Sequence, residues 1–550
     1  MNDYNRECKI PSPAIDCDTD YKYRTIDGTC NNLKHPQWGS ASTAQARFLE
    51  AHYDNGYDSP RNTGTHGAKL PSARVISNIL HRSTEKTDFD PHLTVMHMSY
   101  GQYLDHDLIA TPIVMGINNS DLQCCGVDEI GPECIPIDIP TDDPYYNRSC
   151  MSLTRSSPAP RVDRVPGARE QLNEVTSYID ASTVYGSDDE IAASLRTFKK
   201  GLLITESHER LPSGGKSKCF LETEADYCQK AGDKRVNVVP NLGALHLLFV
   251  REHNRIAERL AAINPSWNDE TIYQESRKIV SAITQHITYN EYLPEILGQR
   301  HMEMYGLYSN TSGFHRIYDE KLDASVRNVV GAAAFRFGHS QVPNHQAVFD
   351  KYRRPTMVKP IEQTYHRPHM CAMWNGRGAD GLMRWLTTAH STASDRFFES
   401  GVRDKLFQDK DKISMDLPAV NIQRGRDHGL PGYNKWREWC NLPVAKTFSQ
   451  LRDHDRHTTK LLSQLYRFTY LIDRHPDDID LFAGAMAETT IPDSLVGPTF
   501  ACILSMQFQA LKRGDRFWYE NPFRKTGFNQ DEVVRLTAKT YDSISGVRIL

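Results

Sequence analysis

Two long stretches of this 550-residue chain keep apolar residues at helical spacing: Leu245, Leu248, Phe249, Ile256 and Leu260, and soon after them Ile272, Ile279, Ile283 and Ile287. Residues three and four apart share one face of a helix, so each stretch is a helix with one side to bury. Length alone would suggest three or four domains at roughly 150 residues each. No linker, low-complexity tract or fixed-period repeat divides the chain, so one large domain is the economical reading. Hydrophobic residues make up 39% and charged residues 24%, which is enough apolar material for a core of that size.

A third helix is expected from Gln102 to Leu108, within Tyr100-Gly-Gln-Tyr-Leu-Asp-His-Asp-Leu108. No Pro or Gly interrupts it, and Pro112 closes it. Gln102, Asp105 and His106 then share a face. Asp107 lies about 100° further round and points elsewhere. An amide, a carboxylate and an imidazole converge, and a second carboxylate is free for another task. On spacing alone, a solvated face is the commoner fate of such residues.

Net charge is −4, with pI about 6.6, which favours neither nucleic acid nor an anionic membrane surface as partner. No run reaches about 18 apolar residues, so no transmembrane span is expected. Twelve Cys suit an oxidising compartment, and sequons at Asn118, Asn147 and Asn310 agree with secretion. The N-terminus, MNDYNRECKI, is polar and is not a signal peptide; a secreted chain would have lost its export signal or carry it outside these residues. Cys17 and Cys30 enclose a short loop and read as a local disulfide, as do Cys219 and Cys228; Cys440 and Cys502 bridge two late helices. Cys124, Cys125, Cys134 and Cys150 allow three pairings, of which Cys124 with Cys125 is disfavoured by strain. Cys8 and Cys371 have no evident partner, and either pair with each other or cross-link chains.

Further on, Thr176, Asp180 and Ser182 put oxygen-bearing side chains along one loop, a pattern that can wrap a hard cation such as Ca²⁺. Such loops more often bond their own backbone. Ala332-Ala-Ala-Phe-Arg-Phe-Gly-His339 offers small residues before a histidine. His253 and His286 lie inside the two long helices and read as packing or hydrogen-bonding residues. Arg513-Gly-Asp515 has the form of an integrin-binding tripeptide, although a structural role is the preferred reading.

GQYLDHDL resembles the distal haem helix of the animal haem peroxidases. TSYIDAS resembles that family's calcium loop, FRFGHS its proximal-histidine motif, and DLPAVNIQRGRDHGLPGY (416–433) a long core segment. YRTIDGTCNN, LPSARVISN, REHNRIAERL, ITYNEYLPEILG and GDRFWYENP follow the same pattern, so the likeness runs from about Tyr23 to Ile549. It implies a mainly α fold, a single large helical domain with very little β. Residues 1–22 would be an N-terminal extension and 23–550 the peroxidase domain, lacking the family's extreme Cys-containing end.

The resemblance also implies roles. His106 is the distal acid–base group, Arg235 the distal arginine, and Gln102 orients water or a small anion. His339 ligates the haem iron, and Asn421 accepts its other ring N–H. Arg424 pairs with a haem propionate, Phe335 and Arg336 line the pocket, and His428 is structural. Asp107, Thr176, Tyr178 (by its carbonyl), Asp180 and Ser182 would hold Ca²⁺, so that calcium loss disturbs His106. The pairings Cys124–Cys134 and Cys125–Cys150 follow the same pattern. The chain departs from it at Val238, where doubly esterified relatives carry Glu, and at Val239, where myeloperoxidase has a Met bonded to the haem. At most one ester, through Asp105, to haem b is expected, which argues against a strongly red-shifted haem and strong chloride oxidation.

The function implied is a secreted peroxidase using hydrogen peroxide, through a ferryl intermediate, to oxidise phenols, tyrosyl proteins, halides or thiocyanate. The rival is an extracellular adhesion or matrix protein using this fold, with an integrin contact through Arg513-Gly-Asp515.

Overall fold

Helices form where the apolar spacing predicts them, and several extend further. The computed structural model describes residues 15–83, 87–126, 131–160, 167–216, 219–309, 313–373, 377–466 and 475–537. The helices that frame the site are α1 (Ala73–Leu80), α2 (Val95–Leu108), α3 (Pro240–Ile263), α4 (Asp269–Ile287), α5 (Leu293–Met304), α6 (Leu417–Asp427) and α7 (Pro498–Arg513). Pro240 opens α3 at a position where its missing N–H costs nothing. Asn268 caps α4 by accepting from Thr271 N at 2.8 Å. Among the described residues, strand is confined to four two-stranded antiparallel sheets. The longest pairs His345–Phe349 with Pro355–Pro360. No helix among the described residues is long and apolar enough to cross a membrane.

The apolar faces of α3 and α4 meet in the core. Leu245, Phe249, Ile283 and Ile287 are buried to 1% exposure or less, while Leu248, Leu260 and Ile279 pack at its flank. Each fully buried side chain of this kind contributes roughly 1.5–3 kcal/mol. His253 and His286 are core residues as expected. His253 Nε2 meets Gly201 O and its Nδ1 meets the Tyr185 hydroxyl, both at 2.8 Å, and His286 Nδ1 meets the Tyr519 hydroxyl at 3.0 Å.

α2 is longer than expected, starting at Val95 rather than near Gln102, because Val95, Met96, Tyr100 and Tyr103 all bury against neighbouring elements. It ends at Leu108, before Pro112: Ile109 turns extended and Ala110 N donates to Asn173 Oδ1 at 2.8 Å. A π-helical turn, Thr288–Tyr292, joins α4 to α5 and presses on α2. Gly101 permits that approach, since a Cβ there would lie 2.3 Å from the Tyr292 hydroxyl. α6 is fixed from the other side. Asp416 caps it by accepting from Ala419 N at 2.9 Å and also takes Arg74 Nη1 of α1 at 2.6 Å. Arg74 is fully buried and bonds Asp143 and Asp404 too. Removing one partner from such a buried cluster costs about 3–5 kcal/mol.

Five disulfides are present among the described residues: Cys17–Cys30, Cys124–Cys134, Cys125–Cys150, Cys219–Cys228 and Cys440–Cys502. One expectation is corrected and one alternative is excluded. Cys371 is a buried free thiol that donates to Pro240 O, so it neither pairs nor reaches another chain. Asp515 of the Arg-Gly-Asp tripeptide is 1% exposed, and Arg24, Asn31 and Gln285 occupy its carboxylate, so the tripeptide is not displayed to an integrin. Cys8 and the Asn310 sequon lie outside the described residues; Asn118 and Asn147 are exposed.

Candidate active site

α2 brings His106, Asp105 and Gln102 to one region and Asp107 to another, as the helical geometry requires. His106 is buried, and its Nδ1 is sealed from solvent without a hydrogen-bond partner. Burial, and next the Arg235 guanidinium, hold its pKa well below the usual imidazole range, so the ring is neutral near pH 7. Arg235 arrives on a short 3₁₀ turn, Lys234–Asn237, that precedes α3. Its Nη2 donates to His106 O at 3.1 Å and to Asp233 Oδ2 at 2.6 Å, and its Nε donates to Asp233 Oδ1 at 2.9 Å. Burial disfavours the charge, but Asp233 outweighs it and keeps the guanidinium cationic. Burial lifts the Asp105 carboxyl to about 6, opposed by Arg235 on one side and Arg336 on the other. Asp105 therefore lies within reach of both halves of the site. Gln102 is half-buried one turn before His106.

His339 stands in a 3₁₀ segment, Ala334–Gln341, that packs against α2. The helix before it, Asn328–Ala332, breaks at Ala333, and Ala332, Ala333 and Ala334 are fully buried. Burial, then Arg336, lower the His339 pKa to about 3. Asn421 of α6 meets His339 Nδ1 at 3.0 Å, so the expected pair is present. The expected direction of the bond is not. Arg336 Nη1 can only donate, and it takes Asn421 Oδ1 at 2.8 Å, which turns the amide nitrogen toward the ring. Phe335 packs edge-on to Tyr292 and Phe508. Arg424 Nη1 is held by Thr154 O, Ser156 Oγ and Asp427 Oδ2 at 2.9, 3.2 and 2.8 Å. His428 bonds Asn328 Oδ1 and Ser156 Oγ at 2.7 and 2.8 Å, consistent with a structural role.

Asp107 faces the loop that carries Thr176, Tyr178, Asp180 and Ser182. Ser182 Oγ donates to Asp107 Oδ1 at 2.8 Å, Ala181 N to Asp107 Oδ2 at 3.2 Å, and Thr176 Oγ1 to Asp180 Oδ2 at 2.9 Å. All are buried. Burial raises both carboxyls; repulsion from Asp180 adds to the shift of Asp107, while Arg24 and Arg277 oppose that of Asp180. Two carboxylates and two hydroxyls crowded together suit a hard cation.

The residues also fit a flat anionic cofactor. Arg336 is a half-buried cation whose hydrogen-bond partners are a carbonyl, Gly331 O, and the Asn421 amide, and not a carboxylate. Burial is the main cause that lowers its pKa to about 10; Asp105 opposes the shift, and Arg424 adds to it. A cation so placed calls for an anionic group. Val238 and Val239 offer no oxygen or sulfur for a covalent link.

Sequence reasoning missed Asp233, His246 and Tyr103. Asp233 stands two residues before Arg235, and that spacing is the signal that could have found it. His246 lies on the buried face of α3 among Leu242, Leu245 and Phe249, where a histidine needs a hydrogen-bonding reason.

The arrangement is that of a helical scaffold holding two buried histidines, each with its own neighbouring arginine. The animal haem peroxidase family model matches residues 23–545, and the chain belongs to that family. It is 38% identical over 563 residues to a peroxidasin homolog of Mus musculus, covering 96% of this chain. It spans about 37% of the length of that relative. It is 34% identical to the myeloperoxidase of Mus musculus, covering 94% of this chain and 73% of that protein. Peroxidase A from Dictyostelium discoideum has the same fold, with a TM-score of 0.77 at 28% identity, covering 95% of this chain and 96% of that one.

Proposed function

We propose that the chain is a secreted haem peroxidase that uses hydrogen peroxide to oxidise phenolic or tyrosyl donors, halides or thiocyanate. The observation that carries this reading is His106 held neutral beside a cationic Arg235, with the His339–Asn421 pair as its neighbour. Haem b would be held by His339 through Nε2, with propionates toward Arg336 and Arg424 and at most one ester, at Asp105. Holding a metal at Nε2 puts the His339 proton on Nδ1, so Asn421 must present its oxygen there. That is open to it once Arg336 turns to an anionic partner.

When bound, the haem supplies the redox chemistry. The side chains handle charge and protons. His106 Nε2 accepts a proton from one peroxide oxygen and returns it to the other, as base and then acid. Arg235 stabilises the negative charge that develops on the departing oxygen. Gln102 orients peroxide or water beside His106. Asp107, Thr176, Tyr178, Asp180 and Ser182 would hold Ca²⁺ one residue from His106, so the cation fixes the end of α2 on which the base sits. Secretion is supported by the five disulfides and the exposed sequons.

The test is the absorption spectrum of haem-supplied protein during turnover. A Soret band that shifts on adding hydrogen peroxide and returns as a phenolic donor is consumed supports the reading. Folded, Ca²⁺-loaded protein without a Soret band refutes it.

A further inference from the structure

Four buried polar atoms from three elements are left without a partner behind the catalytic histidine: His106 Nδ1 and the Tyr103 hydroxyl on α2, His246 Nε2 on α3, and Thr183 Oγ1 on the short helix Ser182–Tyr185. Tyr103 and His106 are three residues apart and share a helix face. The Tyr103 ring stands edge-on to His246, with centroids 5.3 Å apart. The Tyr103 hydroxyl and Thr183 Oγ1 are neighbours whose weak hydrogen-bonding contact lowers a phenol pKa that burial raises, while neither makes a bond of full geometry. The nearest carboxylate to His106 Nδ1 is Asp233 Oδ1, and at 3.9 Å it is beyond hydrogen-bond reach.

The tautomers follow from one contact. His246 Nδ1 lies 2.8 Å from Leu242 O. A carbonyl only accepts, so Nδ1 carries the proton and Nε2 is a bare acceptor. His106 must leave Nε2 free to take a peroxide proton, so its Nδ1 must carry a hydrogen and donate it.

We infer that a buried water joins His106 Nδ1 to His246 Nε2, and that His246 is thereby the positioning residue that keeps His106 in the tautomer able to accept a proton. This rests on the peroxidase reading above. The water's four bonds balance: it accepts from His106 Nδ1–H and the Tyr103 hydroxyl, and donates to His246 Nε2 and Thr183 Oγ1. Buried waters characteristically make two to four such bonds to otherwise unsatisfied groups. No proton changes owner; the relay sets orientation from Leu242 O outward.

The test compares His246→Leu with His246→Gln in haem-loaded protein, by the association rate of hydrogen cyanide and by the rates of the peroxide and donor steps. Cyanide binds as an anion and leaves its proton on the same base. The inference expects His246→Leu to slow cyanide association and the peroxide step together, by about tenfold or more, as a base in the wrong tautomer would. The donor step stays unchanged. His246→Gln, whose amide oxygen still accepts, stays within about threefold of wild type. Equal loss in both variants, or equal loss in the donor step, means a packing role and overturns the inference. Wild-type rates in His246→Leu also overturn it. If His246→Leu does not fold, a high-resolution crystal structure of the wild type decides. A water within about 3.2 Å of both nitrogens is required, and its absence overturns the inference. Wild-type protein that takes up haem but reacts with neither ligand would instead refute the peroxidase reading.

Discussion

The surroundings of the two histidines are finished to different degrees. On the α6 side two hydrogen-bonded sets lie side by side, His339–Asn421–Arg336 and Arg424–Asp427–Arg155–Ser156–His428–Asn328, and no buried polar side-chain atom in either lacks a partner. On the α2 side, His106 Nδ1, the Tyr103 hydroxyl, His246 Nε2 and Thr183 Oγ1 all do. A hydrogen-bonded neighbour such as Asn421 fixes the orientation of the His339 ring, which a metal-ligating imidazole would need. The unpartnered atoms on the α2 side lie behind the ring, at Nδ1 and beyond, and not at the Nε2 that takes the proton.

That contrast is broken most severely at the base itself. His106→Ala should lower the peroxide step by about 10²–10⁴-fold while the Soret band is retained, since it removes the acid–base group and no ligand. Stopped-flow absorbance with hydrogen peroxide measures both. Arg235→Gln should follow at about 10²–10³-fold, the usual loss for one preorganised electrostatic donor. Its effect should fall on the peroxide step and spare the donor step.

On the α6 side, Asn421→Ala should be milder, about 10–100-fold, because it loosens a ligand without removing it. Its signature differs as well. Haem should dissociate faster from the variant, which a haem-transfer assay to apomyoglobin reads directly. A larger effect at Asn421 than at Arg235 would reverse the assignment of the two faces.

Much of this site is legible in the chain because helical spacing is local. Gln102, Asp105 and His106 share a face, and Asp107 leaves it, by the 3.6-residue period alone. α3 and α4 were likewise marked by their own apolar residues. The functions of those residues were not legible from spacing; the family resemblance supplied them. What stayed hidden depends on contacts between distant segments. The direction of the Asn421 amide is set by Arg336, 85 residues away. The burial of Asp515 is set by Arg24, 491 residues away. Arg-Gly-Asp is a displayed motif only where the fold exposes it. His246 was overlooked because a histidine on a buried helix face looks the same whether it packs or bonds, and only its unpartnered Nε2 separates the two.

The smallest contrast lies in stability rather than rate, and Asp427 tests it. Its carboxylate accepts from Arg155 Nε, Ser156 N and Arg424 Nη1, each at 2.8 Å. Burial pushes its pKa up, but Arg424, His428 and Arg155 outweigh that and hold it at about 2. The folded value lies below the unfolded one of about 3.9. Its stabilisation is therefore complete above pH 4 or so and is lost as pH falls through about 2, amounting to roughly 2 kcal/mol. Asp427→Asn should lose that acid-sensitive part at every pH and also leave Arg155 and Arg424 without their carboxylate. Urea midpoints of wild type and variant should differ most near pH 7 and converge toward pH 2. A gap that stays constant with pH would mean that the α6 network is held by packing and not by this charge, and the claim of a saturated electrostatic face would have to be withdrawn.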